Sequence, residues 1–173
     1  MSERMLARML APLARALGNM LARGTVVLAK STTKMQTLQV KLLSGEVKDG
    51  IEHFEAYGLT ARPKAGAEHI TLFLGGDRSH GVTIMVADRR HRPTGLAEGE
   101  VVLHDDLGHR MHLTRTGIVI DGGGHDITIQ NAPNVNVGGD IHATGDVTAN
   151  GISLKNHVHG GVQSGGSTTG APQ

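Results

Sequence analysis

Two histidines, His157 and His159, stand two residues apart in the stretch NHVHGG (156–161), close to the end of a chain of 173 residues. Imidazole is a ready ligand for transition metals, and in an extended segment residues i and i+2 point to the same face. Both rings then aim the same way, but two imidazoles alone make a poor metal site, so the remaining ligands must come from elsewhere. A second set of reactive residue types lies in GEVVLHDDLGHRMHL (99–113), where His104, Asp105, Asp106, His109 and His112 suggest a metal-hydrolase cluster. Val101 and Leu103 alternate up to DDLG, and Met111 and Leu113 alternate away from it, which predicts a hairpin. In that hairpin His109 shares a face with Met111 and Leu113 while His112 faces the other way, so the ligands diverge and catalysis is not expected there. The cationic run DRRHRP (88–93) has the charge to touch phosphates but is read as a solvated turn.

The elements that must position these residues follow from periodicity. In MSERMLARMLAPLARALGNMLAR (1–23), Leu6, Met9, Leu10, Leu13, Leu17, Met20 and Leu21 recur at the spacing of one helix face, with Pro12 as a candidate kink. Arg4, Arg8 and Arg15 interrupt any continuous apolar run, which argues against a signal peptide or a membrane span. Such a helix docks on its own domain or on a sister chain. A basic membrane-surface helix is the alternative, weakened by a net charge of only +1. From Gly24 the period becomes that of strands, with TVVLAKST, MQTLQVKLL, GEVKDGIEHFEAYGLTARP, HITLFLGG and GVTIMVADRR separated by Gly, Pro and Asp. Five short strands at this spacing predict a small antiparallel barrel, with the oligonucleotide/oligosaccharide-binding type as the leading candidate. That fold often binds single-stranded nucleic acid by stacking bases on aromatic rings. Here Phe54, Tyr57 and Phe73 are the only rings in the whole chain, so the barrel is read as a structural module.

With no cysteine, disulfides, thiolate zinc sites and a cysteine nucleophile are excluded. The hundred residues after Phe73 contain no aromatic ring, although cores normally lean on rings for buried area. Within TGIVIDGGGHDITIQNAPNVNVGGDIHATGDVTANGISLK (116–155), apolar residues come in short alternating pairs, Ile118/Ile120, Ile127/Ile129 and Val135/Val137, followed by Ile141, Val147 and Ile152/Leu154. Pieces this short are marginal in isolation, and one chain of this composition cannot bury enough surface to offset its ordering entropy. A single-chain parallel solenoid is one solution. The spacing of Ile141, Val147 and Ile152 faintly suggests the hexapeptide repeat of trimeric left-handed β-helix acyltransferases, but too few hexads are present before the register breaks. An intertwined trimer is the other, with small aliphatics on the axis and glycines at tight corners.

The trimer also answers the question raised by His157 and His159. Three chains would deliver six imidazoles to one point on the axis, an octahedral set that suits iron or nickel better than zinc, which prefers four ligands. Metal-bound imidazole must be neutral, and free histidine titrates near pH 6.5, so acid is expected to loosen such a clamp.

The order of helix, small barrel, strand-rich stem and terminal His-x-His resembles the central spike, or baseplate assembly protein V, of Mu-type contractile-tail bacteriophages and related prophages. The resemblance rests on KLLSGEVKDGIEHFEAYGLTARPKAGAE (41–68), FLGGDRSHGVTIMVADRRHR (73–92), GEVVLHDDLGHRMHL (99–113) and HVHGGVQSGGSTTGAPQ (157–173). It implies a mainly β homotrimer with an N-terminal amphipathic helix (1–23), an OB-fold-like barrel (24–97), a hairpin with an intertwined triple-stranded β-helix stem (98–155) and a metal-binding apex (156–173). It further implies that His157 and His159 of three chains hold one iron ion, that the barrels sit on a baseplate hub protein, and that sheath contraction drives the spike through the host outer membrane. Some members of this family carry calcium or chloride in the spike, with no residues assignable in this sequence. The Gly/Ser/Thr residues after His159 would fold back around the metal and sharpen the point. On this reading the protein is a virion component, made in the host cytoplasm, and neither an enzyme nor a binder of nucleic acid or small-molecule substrates.

Overall fold

The computed structural model describes residues 3–161 and 165–166, and the chain forms two compact units, Met1–Ile127 and Thr128–Gln173. In the first unit, α1 (Glu3–Asn19) leads directly into β1 (Leu21–Lys30), followed by β2 (Thr37–Leu42), β3 (Val47–His53), β4 (Glu68–Phe73), a 3₁₀ turn (Leu74–Gly76) and β5 (Gly81–Ala87). The five strands close into a barrel in the order β1-β2-β3-β5-β4, as the strand periodicity predicts. All junctions are antiparallel except β3–β5, where Glu52 and His53 lie beside Val82 and Thr83 in parallel.

Closure depends on β1 serving two neighbours. Its first half pairs with β4, Leu21 opposite Leu72 through Thr25 opposite Glu68. Its second half pairs with β2, and a bulge between Val26 and Leu28 bends it from one partner to the other. Gly24 belongs to both ladders, and a Cβ there would run into the Lys41 carbonyl and the His69 ring, so only glycine lets the strands approach this closely.

The core is small and aliphatic: Val26, Ala29, Leu38, Val40, Leu42, Ile51, Ala67 and Phe73. Phe73 is the one ring inside it, and Gly81 leaves room for that ring and for the Ile51 methyl. The strand β4 turns its polar parity inward. His69, Thr71 and Phe73 are buried while Ile70 is 37% exposed. The buried polar atoms are linked in a chain, His69 Nδ1 to Thr71 Oγ1 at 2.8 Å and Thr71 Oγ1 to Thr83 Oγ1 at 2.8 Å, as burial of such groups requires. Burial pushes the His69 imidazole below its ordinary pKa, opposed by the Lys41 carbonyl. His53, also buried, is pushed down for the same reason, and the Gln36 amide donates to its Nδ1 at 3.0 Å.

The helix is continuous through Pro12, which lacks an N–H and so removes one backbone hydrogen bond in the helix interior. Ala16 lies against Gly76 of the 3₁₀ turn, where a Cβ would come within 2.5 Å of the Ala16 carbonyl oxygen. Leu6, Met9, Leu10, Leu13 and Leu17 are all exposed. The cationic run 88–93 forms the turn after β5. Arg89 is paired with Glu68, Arg90 with Asp88 and, through its other guanidinium contacts, with the Ala65 carbonyl. Glu68, gripped first by Arg89 and then by Arg23, has its pKa lowered to about 2, and Asp88 is likewise lowered to about 2 by Arg90. These cations are occupied by the chain's own carboxylates.

The hairpin expected at 99–113 forms from β6 (Val101–His104) and β7 (Arg110–Leu113), and β8 (Ile118–Asp121) extends it to three strands in the order β6-β7-β8. Leu103, Met111, Ile118 and Ile120 are exposed on it. In the second unit the described residues contain only β9 (Thr148–Ala149) and β10 (Ile152–Ser153), joined by Asn150 and Gly151, both at positive φ (49° and 81°). That is the backbone of a two-residue hairpin turn, for which Asn-Gly is the favoured pair. The pairs Ile127/Ile129 and Val135/Val137, read as strands, have no ladder within the chain.

Candidate metal centre

The β9–β10 hairpin delivers the two histidines. Leu154 N–H returns to the Val147 carbonyl at 2.8 Å, and Lys155 N–H bonds the Asp146 carboxylate at 3.0 Å. The Ser153 hydroxyl and the Lys155 amide hold Asp146 below the usual carboxylate range. The chain then turns: Asn156 N–H donates to Ser153 Oγ at 2.8 Å, and His157 N–H donates to the Ser153 carbonyl at 3.1 Å. Ser153 thus fixes the start of the segment through both its side chain and its backbone.

The His157 ring is oriented by the same carbonyls. Its Nδ1 lies 2.9 Å from the Ser153 oxygen and 3.2 Å from the Leu154 oxygen. Carbonyl oxygens only accept, so the proton belongs on Nδ1, and the Nε2 lone pair is left for a ligand. A backbone carbonyl on one ring nitrogen is the usual support for a metal-bound histidine. The rings of His157 and His159 are 5.1 Å apart, centre to centre, and inclined by 76°. The two rings are thus neighbours in edge contact, and the segment before them is turned rather than extended. Both residues are solvent-exposed. The donor types fit a borderline transition metal, but among the described residues no three His, Asp or Glu side chains come together as a ligand set. Among the described residues one chain brings two imidazoles to this point, short of a ligand set. Of the apex segment 156–173, residues 162–164 and 167–173, and with them the expected fold-back of the tail, lie outside the described residues.

The 99–113 cluster is arranged differently. His109 Nδ1 pairs with Asp105 at 2.5 Å within the β6–β7 turn, which lowers the Asp105 pKa. His112 Nε2 reaches Glu100 at 3.2 Å. Glu100 is lowered chiefly by the Ala97 amide and then by His112. Lys64 pairs with Asp106. Within the cluster only His109 and Asp105 pair with each other, while Asp106 and His112 are taken by Lys64 and Glu100 and His104 lies against the Asp105 carbonyl, so the five residues form no common ligand set. Asp146 and Ser153, which support His157, carry no signal in spacing alone. The Asn150-Gly151 pair between short apolar runs was the available cue for the hairpin that places them.

Comparison with known proteins places these features in one lineage. Residues 23–90, covering most of the barrel, match the family described as bacteriophage Mu Gp45, N-terminal, and residues 151–173, which include both histidines, match the GpV apex motif. The chain is 36% identical over 170 residues to the Mu-like prophage FluMu protein gp45 of Haemophilus influenzae, covering 88% of this chain and 92% of that one. It is also 40% identical over 110 residues to the baseplate puncturing device gp45 of Escherichia phage Mu, covering 64% of this chain and 56% of that protein. With near-complete overlap at that identity, a matching barrel and a matching tip, this chain belongs to the bacteriophage Mu gp45 family.

Proposed function

We propose that the protein is the central spike of a contractile-tail baseplate, a homotrimer that punctures the host outer membrane mechanically and whose tip is closed by one metal ion shared among three chains. The observation that carries this reading is the exposure of the second unit. Among its described residues none is buried, and Ile129, Val135, Ile141, Ile152 and Leu154 are each more than 60% exposed. Aliphatic side chains in alternating pairs with no intrachain ladder are what an intertwined triple-stranded β-helix leaves behind when one strand set is viewed alone. Two sister chains would supply both the missing ladder partners and the missing cover. The relative in phage Mu is named a baseplate puncturing device, which supports a place in the virion's tail baseplate and mechanical rather than catalytic work.

His157 and His159 from three copies would provide six nitrogen donors, a set suited to iron. When bound, the ion supplies a cross-link between three chain ends that have little else to hold them together. The carbonyl bonds to His157 Nδ1 hold one donor of each chain ready. The barrel would face a hub protein of the baseplate. A stem that must part all three chains to unfold is stable kinetically, which suits a part that transmits force.

Elemental analysis of the untagged protein together with its mass in solution tests this. Trimers with about one iron for every three chains are expected, and His157→Ala combined with His159→Ala should release the metal while leaving the trimer intact. Protein without transition metal, or with one metal per chain, would overturn the shared tip; monomers would overturn the spike.

A further inference from the structure

The apolar stripe of α1 is an exposed surface for which neither the barrel nor the tip accounts. It follows a seven-residue repeat: Leu6, Leu13 and Met20 occupy one position (a), Met9 and Ala16 a second (d), and Leu10 and Leu17 a third (e). The barrel covers only the small residue of this set, Ala16, where the helix leans on Gly76. Met9 is 62% exposed, Leu13 58% and Leu17 60%. A helix of 17 residues is marginal in water unless such a face is packed.

We propose that α1 packs against the α1 helices of two sister chains, parallel and in register, as a three-helix bundle at the N-terminal end of the assembly. This rests on the threefold reading above and adds a second trimer contact to it. The spacing is that of helices that pack on copies of themselves, and the added apolar e position widens the stripe beyond a two-stranded seam. Charge points the same way. Arg4, Arg8 and Arg15 all fall at positions c and f, on the far side, and no basic residue flanks the stripe at e or g, so identical helices meet without repulsion. A helix built for a lipid surface usually carries aromatic anchors on its apolar face, and this face has none.

In-register packing makes each a-position residue meet its own copy, which no foreign partner reproduces. The chain has no cysteine, so single cysteines can be placed without background. In the full-length protein under mild oxidation, Leu13→Cys should form disulfide-linked pairs that take up about two of every three chains, because the third thiol of a trimer has no partner and the bond needs Cα atoms within about 7 Å. Arg15→Cys, on the outer face, should remain almost wholly unlinked. Leu6→Cys, one repeat earlier, should reproduce the Leu13→Cys result, and guards against a local defect at Leu13. Light scattering on the reduced protein reports the trimer independently. Trimers in which Leu13→Cys and Leu6→Cys link no better than Arg15→Cys would overturn the bundle while leaving the spike reading intact, and would point to a face reserved for another protein or a lipid surface. Monomeric reduced protein would overturn the threefold reading itself, and with it this proposal.

Discussion

The barrel and the unit that begins at Thr128 solve the same problem in opposite ways. The barrel closes its ladder on itself, buries Leu38 and Val40 completely, and links internal polar groups in the His69–Thr71–Thr83 chain, which leaves the buried His69 Nε2 without a partner. The second unit exposes nearly all of its aliphatics and has, among its described residues, one hairpin of two-residue strands. Both lean on small aliphatics, but the chain's three aromatic rings all lie at or before Phe73 and the second unit has none. What separates them is whether a strand finds its partner in its own chain. The barrel is therefore stable through closure on itself, whereas in the proposed trimer the second unit would be stable through association.

The largest effect is expected where association is attacked. If three chains intertwine as proposed, Val137→Asp combined with Ile129→Asp would force three charges together at each level of the stem and should convert the assembly to lower-mass species in light scattering. The barrel's circular dichroism should persist, and retention of full trimer mass would break the contrast between the two regions. Next in size, Phe73→Ala removes the only ring in the barrel core and should cost about 3–5 kcal/mol in denaturant unfolding of the barrel. The same variant should leave metal content unchanged, because the tip does not depend on this core.

A smaller effect comes from acid. His53 and His69 have folded pKa values below the unfolded value, so the unfolded chain takes up protons first and the barrel should begin to lose stability as the pH falls through about 6.5. Glu68 and Asp88 add a second loss. Both are lowered to about 2, so their stabilisation is present above the ordinary carboxylate range and disappears as the pH falls from about 4.5 toward 2. Thermal melts across this range should show a falling barrel transition in two stages. A barrel melting temperature that is flat between pH 7 and pH 5 would show that the buried histidines are already solvated.

Much of this was legible in the amino-acid order. Alternation marks all five barrel strands, and the apolar pattern around DDLG marks the β6–β7 turn, because the period of two survives whatever the strand packs against. The His-x-His pair is legible as a candidate ligand pair from residue type and spacing alone. Other features depend on contacts distant in sequence. Ile70 and Leu72 are the aliphatic parity of β4, yet His69, Thr71 and Phe73 are the buried ones, a choice made by the register with β1 and β5 and by the space that Gly24 and Gly81 leave.

By itself, then, the sequence determined the element types, the ring-poor composition that rules out a large self-contained core, and a tip carrying two imidazoles. These depend on local periodicity and on residue chemistry. The tertiary structure alone decided which parity of β4 is buried, that the barrel closes through a shared β1, and that carbonyls of Ser153 and Leu154 hold the His157 proton on Nδ1. Each of these choices is made by atoms brought together only when the chain folds back on itself, and periodicity within a segment holds no record of them.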